Sequence, residues 1–114
     1  MTGSSTWNGA TKLAKTLEEQ GFSGMLYTET GQVPWMQITA AAIAAPSLTF
    51  STGIAVAFPR SPMVSAQVAW ELAGETQGKF RLGLGSQVKG HIVRRYSSEF
   101  SQPAKRLRDY VLAV

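Results

Sequence analysis

The 114-residue sequence contains no cysteine and a single histidine, His91. The first absence excludes disulfide scaffolds, thiolate metal centres and cysteine nucleophiles. The second excludes sites that need two imidazoles, including the His-Glu-x-x-His zinc-protease pattern, and no metal site is expected. Long hydrophobic runs are missing too. The longest apolar stretch, from Trp35 to Phe58, is interrupted by Pro46, Gly53 and several Ser and Thr. It falls short of the ~20 unbroken apolar residues of a membrane span. The N-terminus lacks a basic region followed by an apolar run, so no signal peptide is read and a cytoplasmic location is the expectation.

What remains is a chain for one small domain. Hydrophobic residues make up 44% and charged residues 16%, too apolar for a disordered chain. Acidic residues are few, seven against eleven Lys and Arg, and the imbalance is local. Residues 1–78 carry three Lys or Arg against five Glu, a balance of −2, whereas residues 79–114 carry eight against two, a balance of +6. A basic C-terminal third attracts phosphates or nucleic acid in some proteins. The simpler reading is a solvated helix face, and a nucleic-acid partner is not expected.

Residues 1–9 read as a polar leader, and residues 10–114 as a single α/β domain. A helix is expected from about Ala10 to Gln20, with Leu13 and Leu17 beside Ala10 and Ala14 on a narrow apolar face. Gly21 is placed to end it in a left-handed turn. Gly24 to Thr28 is a short apolar run of strand length. Pro34 suits the first turn of a second helix, with Trp35, Ile38, Ala41, Ala42 and Ala45 on one side and Pro46 as its stop.

Leu48 to Phe58 reads as a strand buried on both faces, with Gly53 marking a bulge or a close approach. Ser61-Pro62 is a helix start, cap then first-turn proline. That third helix runs to about Thr76 with Val64, Val68 and Leu72 inward, and Gly78 closes it. Phe80 to Leu84 is a third strand. A short helix with Lys89, His91, Arg94 and Arg95 follows, and Pro103 opens a last one. Strands alternating with helices of ten to fifteen residues are the signature of a parallel sheet. Trp35 and Trp70 are expected in the core.

Three motifs carry a resemblance. They are Thr52-Gly-Ile-Ala-Val-Ala-Phe-Pro-Arg-Ser-Pro-Met, then Ala69-Trp-Glu-Leu, then Gly78-Lys-Phe-Arg-Leu-Gly-Leu-Gly-Ser-Gln-Val-Lys-Gly-His-Ile. Glu19 to Gly24, Thr28-Glu29-Thr30 and Pro103 to Tyr110 also fit. Residues 12–112 resemble the luciferase-like monooxygenase superfamily, best its branch that uses the deazaflavin coenzyme F420. The resemblance implies a (β/α)8 barrel, which needs about 250 residues. This sequence matches only strands two to four, so a fragment, a truncated product or a free-standing partial barrel is expected.

Three parallel strands leave open edges and an open interior face. Met25, Ile54, Val56, Phe58, Leu82 and Leu84 are expected to leave apolar surface there. Self-association into a homo-oligomer through the sheet face or edge follows as an expectation.

The resemblance also implies an oxidoreductase with F420, or alternatively flavin mononucleotide (FMN), acting on an unspecified small organic substrate. In barrels the active site lies at the C-terminal ends of the strands. Glu29 is the one carboxylate at a strand end, and the resemblance places an acid there beside the deazaflavin ring as a catalytic group. On the residues alone, Glu29 reads as a loop carboxylate or a helix N-terminal charge.

The resemblance implies that Thr52, Gly53, Ile54 and Ala55 back the ring, with a non-proline cis peptide at Thr52-Gly53 or Gly53-Ile54; an ordinary buried strand with a glycine for packing is the alternative. Gly85 and Ser86 lie in a glycine turn before a helix, where anions bind; an ordinary tight turn is the alternative. Ser86, His91 and Asp109 suggest a hydrolytic triad, but the turn lacks the Gly-x-Ser-x-Gly elbow. The competing function is a non-catalytic α/β oligomer with weak or no cofactor binding.

Overall fold

A computed structural model of the chain describes residues 5–114. Its elements in order are α1 (Trp7–Glu19), β1 (Gly24–Tyr27), α2 (Pro34–Ala44), β2 (Thr49–Thr52), β3 (Ala55–Val56), α3 (Pro62–Glu75), β4 (Phe80–Arg81), β5 (Leu84–Gly85), α4 (Lys89–Tyr96) and α5 (Pro103–Ala113). β1, β2 and β4 form one parallel sheet in that order, and β3 and β5 form a parallel pair. Parallel strands alternating with helices make the expected α/β partial barrel.

Helix ends follow local chemistry. Residues 1–4 of the expected leader lie outside the described residues. The rest of it is not a tail, because α1 begins at Trp7. The Thr6 hydroxyl accepts a hydrogen bond from the Gly9 N–H at 3.0 Å, an N-cap that starts the helix three residues before its apolar periodicity begins. At its other end Gly21 sits at φ +81°. The Phe22 N–H donates to the Leu17 carbonyl at 3.0 Å and the Gly21 N–H to that of Glu18 at 3.1 Å, a Schellman closure. α3 is capped as expected, with the Val64 N–H donating to the Ser61 hydroxyl at 3.3 Å. Its closing left-handed turn takes in Gln77 as well as Gly78, at φ 55° and 79°.

Leu48 to Phe58 and Phe80 to Leu84 are each two strand segments rather than one. The breaks lie side by side. The Gly53–Ile54 peptide at the first break is cis. Across the gap the Thr52 hydroxyl donates to the Gly83 carbonyl and accepts from the Gly83 N–H, both at 2.8 Å. A side chain thus replaces the backbone ladder where the ladder stops. A Cβ on Gly83 would meet the Thr52 carbonyl oxygen. Gly83→Ala is therefore expected to cost about 1–3 kcal/mol in chemical denaturation, the usual penalty of overpacking; wild-type stability would contradict this reading.

The two faces of the main sheet differ. Met25, Phe50 and Phe80 are in register across it. All three are buried in a core with Ala14, Ile38, Ala41 and Leu72. Leu26, Ser51 and Arg81 form the next row, in register with one another, and point to the opposite, inward side. Met25, Val56 and Phe58 are therefore not part of an open apolar face. Met25 belongs to the helix-covered row. Val56 and Phe58 are covered by a second cluster that includes Ile92 of α4 and Tyr110 of α5. Ile54, Leu82 and Leu84 remain half-buried.

α3 turns Leu72 and Val68 inward as expected, but not Val64. Ser65, Leu72 and Thr76 are buried, Val64 is exposed, and Trp70 is 85% exposed rather than core. Ser65, a polar residue that hydropathy overlooks, shares the inward side. Its hydroxyl is 2.7 Å from that of Tyr110, which donates to the Ser61 carbonyl at 2.9 Å. This pins α5 to the start of α3. Trp35 is half-buried against the first core.

Tyr27 is buried in β1, and burial pushes its phenol from 10.0 up to about 12. The folded chain then holds that proton more tightly than the unfolded chain. Stability is expected to fall as pH rises from about 10 towards about 12. Tyr27→Phe should flatten that limb of the denaturation profile; an unchanged limb would contradict the assignment.

Candidate functional site

The C-terminal ends of the strands gather most of the expected site residues. The Gly53 N–H donates to the Tyr27 carbonyl at 2.8 Å, and the Glu29 N–H to that of Ile54 at 3.3 Å. On the other side, Ala55 and Ala57 donate to the carbonyls of Gly83 and Gly85 at 2.8 and 2.9 Å. Residues 53–57 are thus stitched between the end of β1 and the β4–β5 segment. This brings Glu29, Thr52, Gly53, Ile54, Ala55 and Gly85 together. Thr52 and Ala55 are buried in the wall, whereas Gly53, Ile54 and Gly85 are half-exposed. Ser86 directly follows β5, and among the described residues no hydrogen bond joins it to the others.

Two glycines shape the surface. A Cβ on Gly53 would run into the Leu26 side chain, and one on Gly85 into that of Ile54. Glycine at both positions lets Leu26 and Ile54 lie close over the backbone, side by side with the strand ends. The result is a low apolar platform without a projecting side chain at Gly53 or Gly85.

Glu29 is buried, with 2% of its side chain exposed against 14% for its partner Arg60. The Arg60 Nη2 donates to Glu29 Oε1 at 2.5 Å, and Nη1 donates to Oε2 at 2.8 Å. The Val56 N–H donates to the same Oε2 at 2.7 Å, and Arg60 Nη1 also donates to the Val56 carbonyl at 2.7 Å. The guanidinium carbon stands 5.4 Å from the centre of the Trp35 ring. Burial pushes the Arg60 pKa down, but the hydrogen bond and charge of Glu29 prevail and leave it raised. The arrangement is a bidentate, charge-assisted clamp that ties the end of β1 to the turn after β3.

Arg60 was not among the expected site residues. The signal for it is its isolation, as the sole Lys or Arg between Lys15 and Lys79. The suggested triad is absent among the described residues. His91 is exposed on α4, Asp109 pairs with Arg108 at 3.3 Å, and no hydrogen bond joins either to Ser86. Among the described residues no cluster of three metal-ligating side chains occurs, and no helix is long and apolar enough to cross a membrane. A separate apolar groove of about 350 Å3 runs between α2 and α3, lined by Trp35, Met36, Ile43 and Leu72 among others.

Parallel strands, helix-covered on one face and with their C-terminal ends gathered round a glycine-shaped platform, define an α/β barrel segment. The sequence profile of luciferase-like monooxygenases matches residues 1–114, and the chain belongs to that family. Two mycobacterial proteins, each named only as uncharacterized, are 39% identical to it over 105 residues. They come from Mycobacterium bovis and Mycobacterium tuberculosis, and the match covers 92% of this chain and 31% of theirs. This chain therefore spans about a third of the length of these relatives.

Two solved structures share the fold. One is a type II Baeyer-Villiger monooxygenase, the oxygenating constituent of 3,6-diketocamphane monooxygenase from Pseudomonas putida in complex with FMN. Its TM-score is 0.80 at 18% identity, covering 93% of this chain and 33% of that one. The other is a monooxygenase from Streptomyces bottropensis, with a TM-score of 0.80 at 19% identity over 94% of this chain and 35% of that one.

Proposed function

We propose that this chain supplies the ring-facing wall of a luciferase-like oxidoreductase that works with F420 or, alternatively, FMN on a small organic substrate. The observation that carries the reading is the platform of Leu26 over Gly53 and Ile54 over Gly85, at the C-terminal ends of the strands. A flat tricyclic ring stacks on a surface of that kind, and side chains larger than hydrogen at either glycine would break it up. The residues present thus fit such a group.

Leu26 and Ile54 would meet the ring, lying over Gly53 and Gly85, with Ser86 at the edge of the platform. Thr52 and Ala55 hold the wall from behind. When bound, the cofactor supplies the hydride transfer or the oxygen activation. The protein binds it, orients it and keeps water from one of its faces.

Glu29 fits a positioning role better than that of an acid or base in contact with the ring. Both of its oxygens are engaged, by Arg60 and by the Val56 N–H. Its own N–H holds the Ile54 carbonyl. The clamp therefore fixes the backbone on both sides of the platform.

The test is a fluorescence titration of the purified chain with F420 and with FMN. Saturable binding in the micromolar range to one of them is expected, weakened at least tenfold by Gly85→Val. No binding to either at near-millimolar concentration would refute the proposal and leave a non-catalytic family segment.

A further inference from the structure

The chain has one asparagine, Asn8, and a glycine follows it. A glycine nitrogen has no side chain beside it to hinder its approach to a neighbouring group, so it can attack the side-chain amide that precedes it. The pair stands in the first turn of α1, with Asn8 exposed. Among the described residues no hydrogen bond engages the Asn8 carboxamide. The Gly9 nitrogen is the restrained partner, because its N–H donates to the Thr6 hydroxyl at 3.0 Å. That N-cap bond lies at a helix end, where turns fray most readily. A Cβ on Gly9 would crowd the hydroxyls of Ser5 and Thr6, so the cap closes most easily over a glycine and keeps the labile pair together.

We propose that Asn8 is a site of spontaneous deamidation, paced by the opening of the Thr6 cap. When the cap opens, the Gly9 nitrogen bonds to Cγ of Asn8 and the Cγ–Nδ2 bond breaks. The Gly9 proton leaves with the amide nitrogen as ammonia, and a five-membered succinimide remains. Water then opens that ring at one of its two carbonyl carbons. Opening on the main-chain side leaves an isoaspartate, whose backbone runs through the former side chain; opening on the other side leaves an aspartate. Either product lowers the net charge by one from +4. Their effects on α1 differ. The first turn holds no acidic residue, and an aspartate there suits the positive end of the helix. The isoaspartate adds a carbon to the main chain and upsets the spacing by which the Gly9 and Ala10 N–H groups reach Thr6.

The test ages the purified full chain at neutral pH and follows position 8 by peptide mass spectrometry, with an isoaspartate-specific methyltransferase assay beside it. Conversion is expected at Asn8. None is expected over the same period at the Gln20-Gly21 and Gln77-Gly78 pairs, where glutamine would have to close a larger ring. Asn8→Gln should remove the signal. Thr6→Ala should speed the conversion about fivefold, the factor by which losing an N-cap of ordinary strength shifts the opening of its turn, and Thr6→Ser should keep the wild-type rate. Ser61→Ala removes the corresponding cap of α3 and should leave the rate at Asn8 unchanged, which separates local opening of α1 from unfolding of the whole chain. Three results would overturn the inference: an Asn8 that stays intact in the folded chain while it converts in the urea-unfolded chain, a rate that Thr6→Ala does not alter, or one that Ser61→Ala raises as much as Thr6→Ala does.

Discussion

Glu29→Ala is expected to lower the folding stability by about 3–5 kcal/mol, the usual effect of removing one partner of a buried ion pair. Glu29 leaves behind more than a lost attraction. The Arg60 guanidinium, with only 14% of its side chain exposed, would lose its counter-charge, and the buried Val56 N–H would lose its acceptor. A small domain has only about 5–15 kcal/mol in all, so the variant should lie near the edge of folding. Arg60→Ala should cost a similar amount, because it strands the carboxylate instead. The double variant Glu29→Ala/Arg60→Ala should lose clearly less than the two single losses together, since removing both charges strands neither. Urea denaturation of the four proteins measures this cycle. Single losses under about 1 kcal/mol, the range of an exposed pair, would show that the clamp does not hold the strand ends.

Phe50→Ala should also cost about 3–5 kcal/mol, the price of an aromatic cavity in a packed core. Phe50 is 1% exposed and lies between Met25 and Phe80 in the helix-covered row. The neighbouring substitution Ser51→Ala should change stability by no more than about 0.5 kcal/mol, because Ser51 faces the open side. The contrast tests the register, since a slip of one residue would exchange the two faces. Equal losses at positions 50 and 51 would contradict the assignment of the rows.

Much of this architecture is legible in the sequence because it is local. Thr6, Ser61, Gly21 and Pro34 act within a turn of their own position, although the Thr6 cap was hidden by the polar residues around it. The parallel α/β alternation follows from strand-length and helix-length apolar runs in turn. The errors arose where distant groups decide. Trp70 reads as core from its helix position, yet it is 85% exposed, while Ser65 of the same helix is buried and hydrogen-bonded to Tyr110. Val56 and Phe58 read as uncovered because three parallel strands leave an open interior face. Helices α4 and α5 nevertheless place Ile92 and Tyr110 over them, and Arg106 lies 4.3 Å from the Phe58 ring centre. The candidate site divides in the same way. Gly53, Ile54 and Gly85 are visible as glycine-broken strand ends. The clamp needs Arg60, 31 residues beyond Glu29, and no spacing rule links the two.

The central claim is that the strand-end platform is the surface that receives the cofactor ring. The most direct measurement is a two-dimensional amide NMR spectrum of the 15N-labelled chain, recorded as F420 and, separately, FMN are added. The glycine amides fall in a well-separated region, so Gly53 and Gly85 can be followed individually. The account expects progressive shifts at Gly53, Ile54, Gly85 and Ser86 with one of the two cofactors, and little change along α2 and α3. Shifts confined to the groove between α2 and α3, or none anywhere, would contradict it.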